Sequence, residues 1–255
     1  MDLNIQGLRV LVTAGANGIG REIAKRFLDE GARVHVCDVD DKALGGLSIS
    51  VTSSKADVAN RDDVERLFRD AQKSLGGLDV LVNNAGIAGP TGRVDEIDPK
   101  DWDRCIAIDL TGLFNCARLA VPLLKSSDNA SIINLSSVAG RLAFPLRSPY
   151  AAAKWGVVGF TKALAAELGE YGIRVNAIQP GLVEGARIRS VIENKARALN
   201  KSFDEVEQIA LEKTSLRTMV TATQLADQIL FLCSPLGRTI SGQAISICGD
   251  TQSLV

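Results

Sequence analysis

The sequence predicts an α/β protein built on a doubly wound parallel sheet with helices on both faces. Three observations lead there. Short Val/Ile/Leu-rich runs alternate with longer amphipathic stretches along all 255 residues. The first apolar run leads through a glycine cluster directly into a helical pattern. No internal repeat, low-complexity tract or Pro/Gly-rich linker divides the chain, so residues 1–255 read as a single domain.

The elements follow in order. The apolar runs are Arg9–Thr13, 33–37, 79–82, Ser131–Leu135, 174–178 and Ala244–Ile247. Each has the length and continuous apolarity of a parallel strand covered on both sides. Between them, residues 18–30 carry Ile23, Phe27 and Leu28 on one helical face, and Gly31 ends the pattern. Arg61–Leu75 repeats this with Val64, Leu67, Phe68 and Ala71. The stretches 100–125 and 150–170 are longer and more apolar, as suits helices packed on two sides. Residues 182–217 break the alternation and are highly charged. Within them Ser202 and Glu205 have capping-box spacing ahead of Val206, Ile209 and Ala210. Following a strand's carboxyl end, this insert is expected to form a helical lid.

Composition narrows the chemistry. Twenty-nine basic and 30 acidic residues leave a formal charge of −1, giving no bulk attraction to nucleic acid. The one histidine, His35, lies inside a strand, which argues against a metal site and against His-based nucleophilic catalysis. It is expected to pack rather than to act. Five scattered cysteines with no C-x-x-C pair read as reduced, buried thiols of a cytoplasmic protein. Residues 1–8 lack the apolar core of a signal peptide, and no continuous apolar run of membrane-spanning length is expected.

The distinctive residues collect where strands end, which is where an open parallel sheet binds ligands. Gly15, Asn17, Gly18, Ile19 and Gly20 follow the first strand. Small residues let the backbone turn tightly, and the N-terminus of the next helix offers N–H groups and positive dipole to a pyrophosphate. Asp38, 18 residues after Gly20, can accept from an adenosine ribose and would repel a 2′-phosphate, which favours NAD. Ser137 follows another strand, and Tyr150-Ala151-Ala152-Ala153-Lys154 opens a helix. Tyr150 and Lys154 share one helical face. A free phenol titrates near pH 10, and an adjacent ammonium favours the phenolate. These three residues can supply the acid–base chemistry that histidine does not.

On these residues, with Asn83-Asn84-Ala85-Gly86 and Pro180-Gly181, the chain resembles the short-chain dehydrogenase/reductases from about residue 8 to 249. The Ser-to-Tyr-x-x-x-Lys spacing is its most specific part. The resemblance implies a Rossmann-type fold and a nicotinamide cofactor. It implies that Tyr150 is the acid/base, that Lys154 holds the nicotinamide ribose, and that Ser137 orients the substrate oxygen. Asn84, Ala85 and Gly86 would wall the adenosine side, Asp57 and Val58 the adenine pocket, and Pro180, Gly181 and Val183 the nicotinamide face. Two positions depart from the family pattern. Ala14 stands where the family has glycine, and Asp109 where it has an asparagine that holds a water in a proton relay. Aspartate keeps the acceptor oxygens and loses the amide donors. If ionised, it would draw on the Lys154 charge and give oxidation an alkaline optimum.

The expected reaction is hydride transfer between NAD(H) and a secondary alcohol or ketone. Arg141, Arg147 and Arg187, with Glu184, lie between the serine and the tyrosine or at the start of the lid. Arginines suit carboxylate or phosphate recognition, so a small polar substrate such as a sugar, polyol or sugar acid is expected. A 3-oxoacyl-carrier-protein-reductase-like enzyme is the alternative, and a non-enzymatic nucleotide-binding protein is a third reading. The last strand resembles the family's tetramer-forming one, so a homotetramer is expected.

Overall fold

The computed structural model describes residues 2–254, the side chains of 194, 195, 198 and 199 excepted. Seven parallel strands form one sheet in the order β3-β2-β1-β4-β5-β6-β7. They are β1 (Arg9–Thr13), β2 (Arg33–Asp38), β3 (Thr52–Lys55), β4 (Val80–Asn83), β5 (Ser131–Leu135), β6 (Arg174–Pro180) and β7 (Ala244–Ile247). The sheet grows outward from β1 in both directions, so the chain reverses between β1 and β4. That switch opens a crevice at their carboxyl ends.

Six strands match the apolar runs of the sequence. The seventh, β3, is polar (Thr-Ser-Ser-Lys) and lies at the sheet edge, where only Ser54 is buried. With one neighbouring strand and little packing on its faces, it carries no apolar run to reveal it.

Side chains of the strands alternate between two cores. Val10, Val12, Val34, Val36 and Val82 face α1 (Gly18–Asp29) and α9 (Ala222–Cys233), meeting Ile23, Phe27, Leu225 and Ile229. Leu11, Leu81 and Ile132 face α3 (Arg61–Leu75) and α5 (Gly112–Leu124), meeting Leu67, Phe68 and Cys116. Period-two alternation within apolar strands thus fills both layers at once.

The helix expected over 100–125 is two helices joined by a π-helical turn. α4 (Pro99–Ile106) runs into Ala107–Thr111, and α5 continues from Gly112. The extra residue in the turn carries Asp109 inward. By length and apolarity the run Pro99–Leu124 is comparable to a membrane span. Here, however, it packs on α3, on β4 and on α6 (Ser148–Leu168), burying Cys105, Leu113, Cys116 and Ala120.

The insert folds as α7 (Ala186–Leu199) and α8 (Phe203–Glu212), after a short α2 (Asp41–Gly45) earlier in the chain. The Ser202–Glu205 capping box forms in both directions. Ile192, Ala196 and Val206 make a small core of their own, separate from the main one. His35 is buried and neutral, its ring nitrogens bonded to hydroxyls of Thr52, Ser54 and Ser74. All five cysteines are buried and unbridged.

Candidate active site

A cleft of about 770 Å³ runs along the carboxyl ends of β1, β2, β4, β5 and β6, with α7 on its far side. The β1–α1 loop forms one end. Ala14 takes φ +49°, a left-handed conformation that costs an alanine about 1–2 kcal/mol. Gly18 is also left-handed (φ +52°), and no atom would stand within 4 Å of a Cβ there. A Cβ on Gly20 would run into the Ala14 carbonyl and lie 2.5 Å from Asn84 Nδ2. Asn17 leads α1 without capping it through its side chain, so the first N–H groups face an open cradle. Gly15 is not on the lining; it closes against Val36. Asp38 ends β2 at the cleft wall and accepts from the Ala16 and Val39 amides (3.2 and 2.8 Å). This cradle fits a dinucleotide, its small residues lying where bulk would be excluded.

Asn84 lines the cleft and is held by the β1–α1 loop. Its side chain donates to the Thr13 and Ala14 carbonyls (2.9 and 3.1 Å). Thr13 Oγ1 in turn accepts from the Asn84 and Ala85 amides (2.9 and 3.0 Å). These bonds lock the ends of β1 and β4 across the chain reversal. Asp57 and Val58 follow β3 and are not on this lining; Asp57 lines a separate opening with Asn60, Arg61 and Asn115. Asp57 accepts from the Ala59 amide, and Val58 packs on Gly112. Pro180, Gly181, Val183, Glu184 and Arg187 line the side formed by β6 and the lid. Arg187 donates to the Gly86 carbonyl at 2.7 Å, tying α7 to the end of β4.

Ser137, Tyr150 and Lys154 converge on the floor. Ser137 Oγ accepts from the Ala139 amide at 3.1 Å, which leaves its proton free to donate. Lys154 is buried, and its ammonium donates to the Leu135 carbonyl at 3.0 Å. It lies 5.5 Å from the centre of the Tyr150 ring. Ser136 Oγ donates to the Lys154 carbonyl, pinning α6 to β5. Asp109 stands behind the floor, fully buried. One carboxylate oxygen accepts from the Ile87 amide at 2.7 Å. The other lies 3.8 Å from the Lys154 ammonium and takes no hydrogen bond from the described residues. Burial pushes the Asp109 carboxyl above its usual range, and the Lys154 charge opposes that shift.

The substrate end corrects one expectation. Arg141 does not reach the cleft; its guanidinium binds the Thr251 carbonyl and the Cys248 sulfur near the C-terminus. Arg147 does line the cleft, buried beside Phe144 and Tyr150. Phe144 also lines the cleft, meeting Tyr150 edge-on at 6.4 Å, and sequence reasoning missed Ile188, Val191 and Leu254. Only packing of the lid and the C-terminal segment brings these apolar residues there. No spacing marks them.

Residues 13–249 match the family described as Enoyl-(Acyl carrier protein) reductase, across nearly the whole domain. The chain belongs to the short-chain dehydrogenase/reductase family. Like other members of this family, it is an oxidoreductase with a nicotinamide cofactor. A D-beta-hydroxybutyrate dehydrogenase of Cupriavidus necator is 36% identical, over 93% of this chain and 95% of its own. A 3-oxoacyl-[acyl-carrier-protein] reductase of Thermotoga maritima is 35% identical, over 97% and 98%. Among solved structures, an actinorhodin polyketide ketoreductase with NADPH is 31% identical, covers 95% of this chain and 96% of its own, and has a TM-score of 0.89. This short-chain dehydrogenase/reductase therefore has similar relatives that differ in substrate.

Proposed function

We propose that the protein is an NAD-dependent dehydrogenase of a small polar secondary alcohol, such as a sugar, a polyol or a hydroxy acid. The observation that carries this reading is the convergence of Ser137, Tyr150 and Lys154 on a cleft that Asp38, at the end of β2, also lines. The β1–α1 cradle would hold the pyrophosphate, Asp38 the adenosine ribose and Lys154 the nicotinamide ribose. The nicotinamide, when bound, supplies the hydride acceptor in oxidation and the donor in reduction. Ser137 donates to the substrate oxygen. In oxidation Tyr150, as phenolate, takes the hydroxyl proton as the carbinol C–H bond breaks; in reduction it returns that proton to the new alkoxide. Lys154 steadies the phenolate by its charge. Asp109 acts through Lys154 without touching the reacting atoms.

Asp38 supports NAD over NADP, because a carboxylate at that wall repels a 2′-phosphate. The test measures absorbance of the reduced cofactor with each cofactor at equal concentration, across secondary alcohols, sugars, polyols and hydroxy acids. NAD-linked oxidation is expected; faster turnover with NADP would overturn the cofactor assignment.

A 3-oxoacyl-carrier-protein-reductase-like activity is the second reading, favoured by the 35% identity to such an enzyme. Reduction of a 3-oxoacyl thioester faster than any free alcohol is oxidised would establish it. A non-catalytic nucleotide binder, suggested by Asp109 alone, fails if any turnover is seen. A homotetramer is the proposed assembly, supported by exposed Trp102 and Phe114 on the α4–α5 run and exposed Trp155 on the adjoining α6. Buried reduced cysteines are in keeping with a cytoplasmic setting.

A further inference from the structure

We propose that Arg147 forms an anion subsite beside Tyr150, so that the substrate is a short hydroxy acid held by its carboxylate. The inference rests on the dehydrogenase reading above and narrows its substrate class.

Arg147 is only 9% exposed, yet no carboxylate among the described residues pairs with it. Its Nη2 donates to the Ala88 carbonyl, while Nε is buried with no hydrogen-bond partner among the described residues. The nearest acid in the floor, Asp109, is already engaged by Lys154 and the Ile87 amide. A buried guanidinium without a counter-charge is unfavourable as a purely structural element, and burial does push its acidity up, lowering its pKa.

Its surroundings point to a ligand. The guanidinium carbon lies 5.2 Å from the Phe144 ring centre and 5.5 Å from that of Tyr150, so two aromatic faces fix the group at the cleft. A planar fork held in this way recognises a carboxylate through paired N–H donors. Because Tyr150 is both the acid/base and one of these rings, the carboxylate and the reacting carbinol must be separated by a short carbon chain. The second arginine of the cleft, Arg187, is exposed on the lid and donates to Gly86, so it is a latch rather than a competing anchor. A neutral thioester would offer Arg147 no charge.

The experiment uses the full-length protein with NAD and compares 3-hydroxybutanoate with its methyl ester. The wild type should oxidise the acid with kcat/KM at least about tenfold above the ester. Arg147→Met should bring that acid-to-ester ratio down about tenfold or more, toward one, mainly through KM for the acid, and Arg147→Lys should restore part of it. In parallel, unreactive butanoate should perturb NADH fluorescence in the wild-type protein and not in Arg147→Met. Equal use of acid and ester by the wild type, or an equal fall of both in Arg147→Met, would overturn the subsite while leaving the dehydrogenase reading intact. Failure to bind NADH, or to oxidise any alcohol, would overturn that reading and the subsite with it.

Discussion

The Asp109 carboxylate lies 3.8 Å from the Lys154 ammonium, and both groups are buried beneath the cleft floor. The π-helical turn at Ala107–Thr111 delivers Asp109 to this position, and the Leu135 carbonyl and α6 fix Lys154 opposite it. Asparagine here would keep the acceptor for the Ile87 amide and put an amide donor where the unpartnered carboxylate oxygen now stands.

That exchange defines the first prediction. Ionised Asp109 offsets the Lys154 charge that steadies the Tyr150 phenolate, so oxidation should have an alkaline optimum. Asp109→Asn removes the offset. The rising limb of log kcat/KM against pH for oxidation should move to lower pH by roughly half a unit to one unit. Superimposable profiles for the two proteins would contradict the coupling.

Tyr150→Phe removes the proton carrier and keeps the ring that packs on Phe144. Turnover should fall by roughly 10³-fold or more, with the dissociation constant for NADH changed less than about threefold. Retention of a tenth of the activity in a steady-state assay would show that another group carries the proton.

Gly20→Ala tests the cradle. The added methyl meets the Ala14 carbonyl and Asn84, both part of the lock between β1 and β4. A loss of about 1–3 kcal/mol in urea unfolding is expected, with NADH affinity reduced more than about tenfold. Unchanged titrations on both counts would mean that the loop yields freely.

His35 sets a pH dependence of stability. Burial lowers its pKa to about 4, with the Asp70 charge opposing, whereas an unfolded histidine titrates near 6.5. The folded pKa is the depressed one, so the neutral ring favours the fold above the unfolded value. That contribution is lost as pH falls from about 6.5 to about 4, and over this window it amounts to about 3 kcal/mol. His35→Gln should flatten that part of the curve, read as the urea midpoint at pH 7, 5.5 and 4. A parallel fall in both proteins would place the acid sensitivity elsewhere.

Much of the architecture was legible because it rests on local pattern. Continuous apolar runs in β1, β4 and β5, the stripe of α3 and the Ser202–Glu205 box each declare themselves within a few residues. β3 escaped because an edge strand buries almost nothing, and the π-helical turn because its extra residue leaves the apolar pattern of Pro99–Leu124 intact. Arg141 and Arg147 looked alike in sequence, six positions apart in one segment. Folding sends the first to Cys248 and Thr251 and the second to Tyr150.

By itself the sequence determined the parallel α/β fold and pointed to the glycine loop and to Ser137, Tyr150 and Lys154, since these rest on local apolar pattern and on motif spacing along the chain. Only the tertiary structure decided that Asp109 loses its solvent beside Lys154, that Arg147 is a buried cation with no counter-charge among the described residues, and that the lid carries its own small core. Desolvation and charge pairing depend on what distant segments bring within a few ångströms, and no local pattern in the chain encodes that distance.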